Sequence, residues 1–200
     1  MGKKREYERK DSFYFKAKSE GYQSRASYKL LEIHQKYNIL RPGAKVLDLG
    51  AWPGGWMQIA SEQVGPAGFV VGIDLVQIDL NIPNCKAITG DVGDPEIVAQ
   101  AMAAAGRKFD VVLSDMSPKL TGIKEADRAA LEECAELAWG VAQQGLIQTG
   151  AMVVKVFKSN EAEVFYRKIK DAFKITYRVE LDSTRKSSNE FYLIALGFLG

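Results

Sequence analysis

Two hundred residues, 46% apolar and 26% charged, suffice for one α/β domain with a full core and exclude wholesale disorder. The two cysteines, Cys85 and Cys134, form no C-x-x-C pair, which excludes a disulfide framework and a cysteine-based zinc site and suits a reducing cytosol. No run approaches 18 apolar residues and the charged, aromatic start has no signal-peptide core, so a soluble, cytoplasmic protein without membrane or metal is expected.

The net charge of +2 is unevenly spread. Residues 1–29 hold nine Lys or Arg against Glu6, Glu8, Asp11 and Glu20, an excess of +5 that leaves the remainder at −3. Tyr7, Phe13, Tyr14, Phe15, Tyr22 and Tyr28 interleave these cations. Cations for phosphates beside rings that stack on bases suit RNA, so residues 1–23 read as a basic, aromatic arm before a single domain, 24–200. A solubilising tail whose aromatics pack on the domain is the plainer alternative.

Along the domain, helical spacing over Ser27–Tyr37 ends at Arg41-Pro42-Gly43. A strand at Lys45–Leu49 runs into the turn "GAWPGG", and a helix follows over Trp56–Val64. Strands are expected at Phe69–Ile73, Lys86–Thr89, Phe109–Ser114 and Ala151–Phe157. Helices are expected at Pro95–Ala105, roughly Glu125–Gln144 and Glu161–Phe173. Two last strands, near Ile175–Leu181 and Phe191–Leu196, flank the polar run "DSTRKSSNE". Alternating strands and helices imply a doubly wound α/β sheet of seven strands, mostly parallel, with helices on both faces and an antiparallel strand at the end.

The glycine turn narrows the ligand. Glycines at 50, 54 and 55 give G-x-x-x-G-G, whereas a dinucleotide fingerprint needs G-x-G-x-x-G. Pro53 removes one backbone N–H from any phosphate nest, and no G-K-[ST] follows. Acids stand at the ends of four successive strands: Asp48, Asp74, Asp91 and Asp115. S-adenosylmethionine, with a cationic sulfonium, an amine, a carboxylate and a nucleoside, suits such a turn and such acids. Asp74 would take the ribose hydroxyls, and Asp91 would contact the adenine edge. Singly, Asp48 and Asp91 could equally cap a helix or a turn.

The ordered stretches "SRASYKLLEI", "VLDLGAWPGGW", "VVGIDL", "GDV", "LSDMSPKLTG", "VVKVF" and "SSNEFYLIA" resemble the FtsJ family of RNA ribose 2′-O-methyltransferases, over nearly the whole chain from Ser24. The resemblance implies a Rossmann-like class I S-adenosylmethionine-dependent methyltransferase fold. It also implies a Lys-Asp-Lys-Glu catalytic set at Lys29, Asp115, Lys155 and Glu190, and cofactor positions at Gly54, Trp56, Asp74, Asp91 and Asp115. A chain this compact looks most like the bacterial members that modify a uridine of 23S ribosomal RNA in the large subunit, with a monomer the favoured state. Relatives acting on tRNA or mRNA caps share the motifs. Trp52 departs from the family, which commonly has a small residue there.

The residues bear on the chemistry independently. A ribose 2′-hydroxyl must be aligned with the methyl group and must lose its proton. Lys155 interrupts the apolar strand "AMVVKVF", where an unpaired buried ammonium costs several kcal/mol, so it needs a partner or a strand end. It reads as the residue that steers and deprotonates the hydroxyl, as a neutral amine or by stabilising an alkoxide. Asp115 would position it, Lys29 would hold the ribose or a phosphate, and Glu190 would orient Lys29 or the hydroxyl network. Taken without the family, Lys29 reads as a solvated helix residue and Glu190 as a loop residue. His34, the lone histidine, reads as structural. The competing classes are a non-catalytic RNA-binding ribosome-assembly factor and a small-molecule methyltransferase. Four filled catalytic positions argue against the first, and the basic arm argues against the second.

Overall fold

The computed structural model describes residues 12–119, 121–185 and 188–200. The first eleven positions of the predicted arm, with Tyr7, lie outside the described residues. Among the described residues, six helices and seven strands follow in the order α1 (Ser12–Ser19), α2 (Ser27–Tyr37), β1 (Lys45–Leu49), α3 (Gly55–Val64), β2 (Phe69–Asp74), β3 (Cys85–Thr89), α4 (Pro95–Ala105), β4 (Phe109–Ser114), α5 (Lys124–Gly145), β5 (Leu146–Phe157), α6 (Asn160–Ala172), β6 (Phe173–Val179) and β7 (Glu190–Phe198).

The strands form one sheet in the order β3-β2-β1-β4-β5-β7-β6. The first five pair in parallel, and β7 inserts antiparallel between β5 and β6. This is the Rossmann-like class I methyltransferase fold, as expected. Strand order reverses between β1 and β4, and ligands of open α/β sheets bind at such a switch point, beyond the carboxyl ends of the strands.

Period-two alternation sorts the side chains between two cores. Leu47, Leu49, Val71, Ile73, Val112, Met152, Val154, Phe191 and Leu193 pack in one core with residues of α4, α5 and α6. Val46, Val70, Val111, Leu113, Ala151, Val153, Tyr192 and Ile194 pack in the other with α2 and α3. Extending the alternation puts Asp115 in phase with Leu113, and Lys155 in phase with Val153. Both therefore emerge on the α2–α3 side, as Tyr192 does.

Local chemistry sets the helix ends. Asp94 accepts the Glu96 N–H at 2.9 Å and Pro95 opens α4, while Gly106 closes it in a left-handed conformation. Ser159 caps α6 by accepting the Ala162 N–H at 3.0 Å. Asn38 ends α2 in the left-handed region at φ 49°. His34 serves that corner, its Nδ1 accepting the Leu40 N–H at 3.2 Å; burial favours the neutral ring and lowers its pKa, although a hydrogen bond with Gln63 opposes the shift.

Most boundaries fall within two residues of expectation, and three differences have a clear physical origin. Helix α1 was not anticipated, since its sequence SFYFKAKS has no apolar stripe; it docks by burying Ala17 and by packing Phe13 on Tyr28 at 5.5 Å. Strand β5 begins at Leu146 rather than Ala151, because a register shift opposite Phe109 and Val111 and a left-handed Thr149 let the chain pair through a bulge. Strand β6 begins at Phe173, whose ring packs against Phe198 and Trp139 instead of ending the helix.

Candidate active site

The turn after β1 carries the chain across the switch point. The Gly50 and Ala51 N–H groups both bond the Ile73 carbonyl, at 2.9 and 3.1 Å. The Trp52 N–H bonds Asp74 Oδ2 at 2.9 Å, and the Gly54 N–H bonds the Ala51 carbonyl at 2.7 Å. With Pro53 lacking an N–H, residues 50–54 keep no spare donor array for a pyrophosphate, as the glycine spacing implied. Glycine is required at two of these positions. Gly54 caps α3 at φ 108°, and a Cβ on Gly50 would lie 2.6 Å from Met116 Cγ.

Beneath this turn opens a cleft of about 470 Å³. Asp74, Asp91 and Asp115 line it, together with Gly50, Trp52 and Leu75 among others, and no lysine or arginine is among its lining residues. Asp74 is held by two backbone donors, Trp52 on Oδ2 and Val76 on Oδ1. Asp91 Oδ1 accepts the Gly93 N–H at 2.8 Å, so it closes a turn and faces the cleft as well. Asp48 lies behind, buried, with Oδ2 lacking a hydrogen-bond partner. Burial, and then the charges of Asp115 and Asp74, push its pKa well above the ordinary carboxyl value.

Gly54 and Trp56, also named from the sequence, do not line the cleft. The Trp56 indole is buried, donates from Nε1 to the Ala26 carbonyl at 2.7 Å, and packs 6.0 Å from the Tyr192 ring. Its side chain thus staples α2 to α3.

At the mouth of the cleft, four elements bring Lys29, Asp115, Lys155 and Glu190 together. Lys155 Nζ stands 3.0 Å from Asp115 Oδ1 and donates to the Asp115 carbonyl at 2.7 Å. Lys29 Nζ donates to Glu190 Oε1 at 2.6 Å and to the Tyr192 hydroxyl at 2.9 Å, and lies 3.8 Å from Asp115 Oδ1. The Tyr192 hydroxyl in turn donates to Asp115 Oδ1 at 2.6 Å. Glu190 Oε2 accepts from the Ser188 hydroxyl at 2.8 Å. Two lysines and two carboxylates balance in charge, as a largely buried polar network requires.

Tyr192 is the residue that sequence reading missed. It is fully buried and sits opposite Lys155 in the β5–β7 register. Burial, and then the charges of Asp115 and Glu190, hold its pKa well above that of a free phenol, so it remains a donor. Burial alone would raise Asp115, but Lys155, Lys29 and the Tyr192 hydroxyl more than offset it and keep the carboxyl below its ordinary value. Asp115 is therefore ionised at neutral pH. The available signal was a lone hydroxyl in the apolar run "FYLIAL", two residues beyond Glu190.

A lysine ammonium has three N–H donors, and Asp115 engages two of those of Lys155 through its carboxylate and its carbonyl. A larger groove, about 870 Å³ between α5 and α6, contains none of the residues named from the sequence. Among the described residues no group of His, Cys, Asp and Glu could hold a metal ion, and no helix is long and apolar enough to cross a membrane.

Sheet order, switch-point cleft and polar cluster define a methyltransferase of the Rossmann-like class. Residues 22–198 match the family model described as FtsJ-like methyltransferase, and the chain belongs to that family. It is 42% identical over 196 residues to the ribosomal RNA large subunit methyltransferase E of Coxiella burnetii, covering 96% of this chain and 92% of that one. The enzyme of the same name from Syntrophobacter fumaroxidans is 43% identical over 191 residues, covering 95% and 96%. Among solved structures, a Plasmodium falciparum protein assigned as a ribosomal RNA methyltransferase superposes with a TM-score of 0.78 at 27% identity, covering 90% of this chain and all of that one.

Proposed function

We propose that this enzyme transfers the methyl group of S-adenosylmethionine to a ribose 2′-hydroxyl of RNA, a uridine of 23S ribosomal RNA in the large subunit. The observation that carries the reading is the Lys155–Asp115 pair at the mouth of a cleft lined by three acids and no base. A cleft of that charge favours a cationic ligand over a phosphate-rich one. The cofactor supplies an electrophilic methyl group on a sulfonium. Asp74 would hold the ribose hydroxyls, Asp91 the adenine edge, Gly54 and Trp56 the amino-acid end through backbone, and Asp115 would border the methyl group.

On the acceptor side, Lys155 would receive the 2′-hydroxyl and withdraw or neutralise the developing charge. Asp115, ionised and anchored by Tyr192, fixes the direction of that ammonium. Lys29 is engaged by Glu190 and Tyr192, an arrangement that suits ordering the cluster better than clamping a phosphate. Large-subunit ribosomal RNA as substrate rests on the names of the relatives, and the basic N-terminal segment is in keeping with RNA. Such a substrate would place the enzyme in the cytoplasm. We take residues 24–200 as the catalytic domain and residues 1–23 as an RNA-contacting arm.

Incubation with methyl-labelled S-adenosylmethionine and, in parallel, large ribosomal subunits, free 23S RNA and tRNA tests this. After alkaline hydrolysis the label should persist in an uncleaved dinucleotide from 23S RNA. Label recovered on a base would refute the reaction class, and label confined to tRNA would refute the substrate.

A further inference from the structure

The residue that departs from the family sits on the cleft. Trp52 is 56% exposed, whereas the two other tryptophans, Trp56 and Trp139, are buried. It lines the cleft beside Asp74 and Leu75, and its own N–H fixes one oxygen of Asp74. Leu75 and Val76 are 71% and 52% exposed, and the Val76 N–H fixes the other oxygen. Two exposed apolar side chains on the cleft, Trp52 and Leu75, thus accompany one carboxylate whose oxygens each have capacity for a further donor. A polar anchor for a diol, rimmed by apolar surface for a ring, has the composition of a nucleoside subsite. Of the catalytic cluster, only Asp115 also lines this cleft, so Trp52 lies on the side of the methyl donor and away from the acceptor.

We propose that Trp52 is the outer wall of the donor's nucleoside subsite, its indole covering the adenosine part once bound. This rests on the donor proposed above. Stacking of a base on an aromatic ring changes affinity by about tenfold when the ring is removed. Trp52→Ala should therefore weaken S-adenosylhomocysteine and free adenosine by the same factor, about tenfold, in calorimetry. Trp52→Phe should recover most of the loss. RNA affinity measured without cofactor should stay within about twofold of the parent, because the indole lies off the acceptor side. Tryptophan emission of the parent should change on titration with S-adenosylhomocysteine, and most of that change should vanish in Trp52→Phe. Circular dichroism of each variant checks that the fold is kept, as an exposed side chain predicts.

If the parent binds S-adenosylhomocysteine and Trp52→Ala binds it equally well, the inference fails while the donor reading stands. A loss confined to RNA affinity would move Trp52 to the acceptor side and also overturns it. A parent that binds no S-adenosylhomocysteine overturns the donor reading and this inference with it.

Discussion

Tyr192 shows how a single hydroxyl can organise the chemistry around it. It receives a bond from Lys29, gives one to Asp115, and faces Lys155 across two strands, so it links all three. Tyr192→Phe keeps the ring in its core but leaves Lys29 and Asp115 each short of a partner. Each keeps an ionic partner, and a lost hydrogen bond to a charged group costs about 1.5–3 kcal/mol. The turnover number should fall by about ten- to a hundredfold, since that energy misplaces Asp115 and hence Lys155. Steady-state rates at saturating cofactor and RNA check this; an unchanged turnover number would leave Tyr192 a packing residue.

Asp48 makes a separate prediction at the same scale. Its folded pKa is raised above the unfolded one, so the folded state binds the extra proton in the window between the two. Stability contributed by that proton is present below about pH 4 and drains away as pH rises toward the folded value. Asp48→Asn, neutral at every pH, should stabilise the protein by about 1 kcal/mol or more at pH 8, with the gain fading toward pH 4. Urea denaturation across pH measures it. A variant less stable than the parent at pH 8 would mean that the carboxylate has a favourable partner.

Among the elements, α2 and α3 set the position of Lys29. The Trp56 indole ties the α3 start to the Ala26 carbonyl, and the Ser27 hydroxyl donates to the Gly55 carbonyl at 3.1 Å. Trp56→Phe leaves the Ala26 carbonyl with the Lys29 N–H as its remaining donor and should cost about 0.5–1.5 kcal/mol, seen as a lower thermal midpoint. A several-fold drop in turnover number should accompany it, because the helix bearing Lys29 loosens. Strands and helices were legible from their periodicity to within a few residues wherever a core face was continuous. Helix α1 was not, since its docking depends on Tyr28, a residue outside its own pattern. Lys155 and the spaced acids could be singled out from sequence because charge in an apolar strand, or at the ends of successive strands, is conspicuous. Lys29 and Glu190 needed the family resemblance, being 161 residues apart. Tyr192 and the stapling role of the Trp56 side chain became visible only in the register of the sheet and the packing of α2 on α3.

Across the whole molecule, charge is polarised between the basic N-terminal segment and the acid-lined cleft. Within that segment Arg25 stacks on Phe13 and Lys16 lies over Tyr28, so its described part rests on the domain that carries Lys29. Deleting residues 1–11 removes Lys3, Lys4, Arg5, Arg9 and Lys10 without touching α1. RNA binding should weaken, and the slope of log affinity against log salt should shrink by about one or more, as phosphate contacts are lost. An unchanged slope would make those residues a passive tail.

The most direct test of the account is Lys155→Ala, assayed for methyl transfer and for binding of S-adenosylhomocysteine in one preparation. Transfer to the RNA 2′-hydroxyl should fall by about a thousandfold or more, with cofactor affinity within about threefold of the parent. A variant that binds cofactor and still methylates at the parent rate would contradict the role given to Lys155, and with it the mechanism built on the cluster.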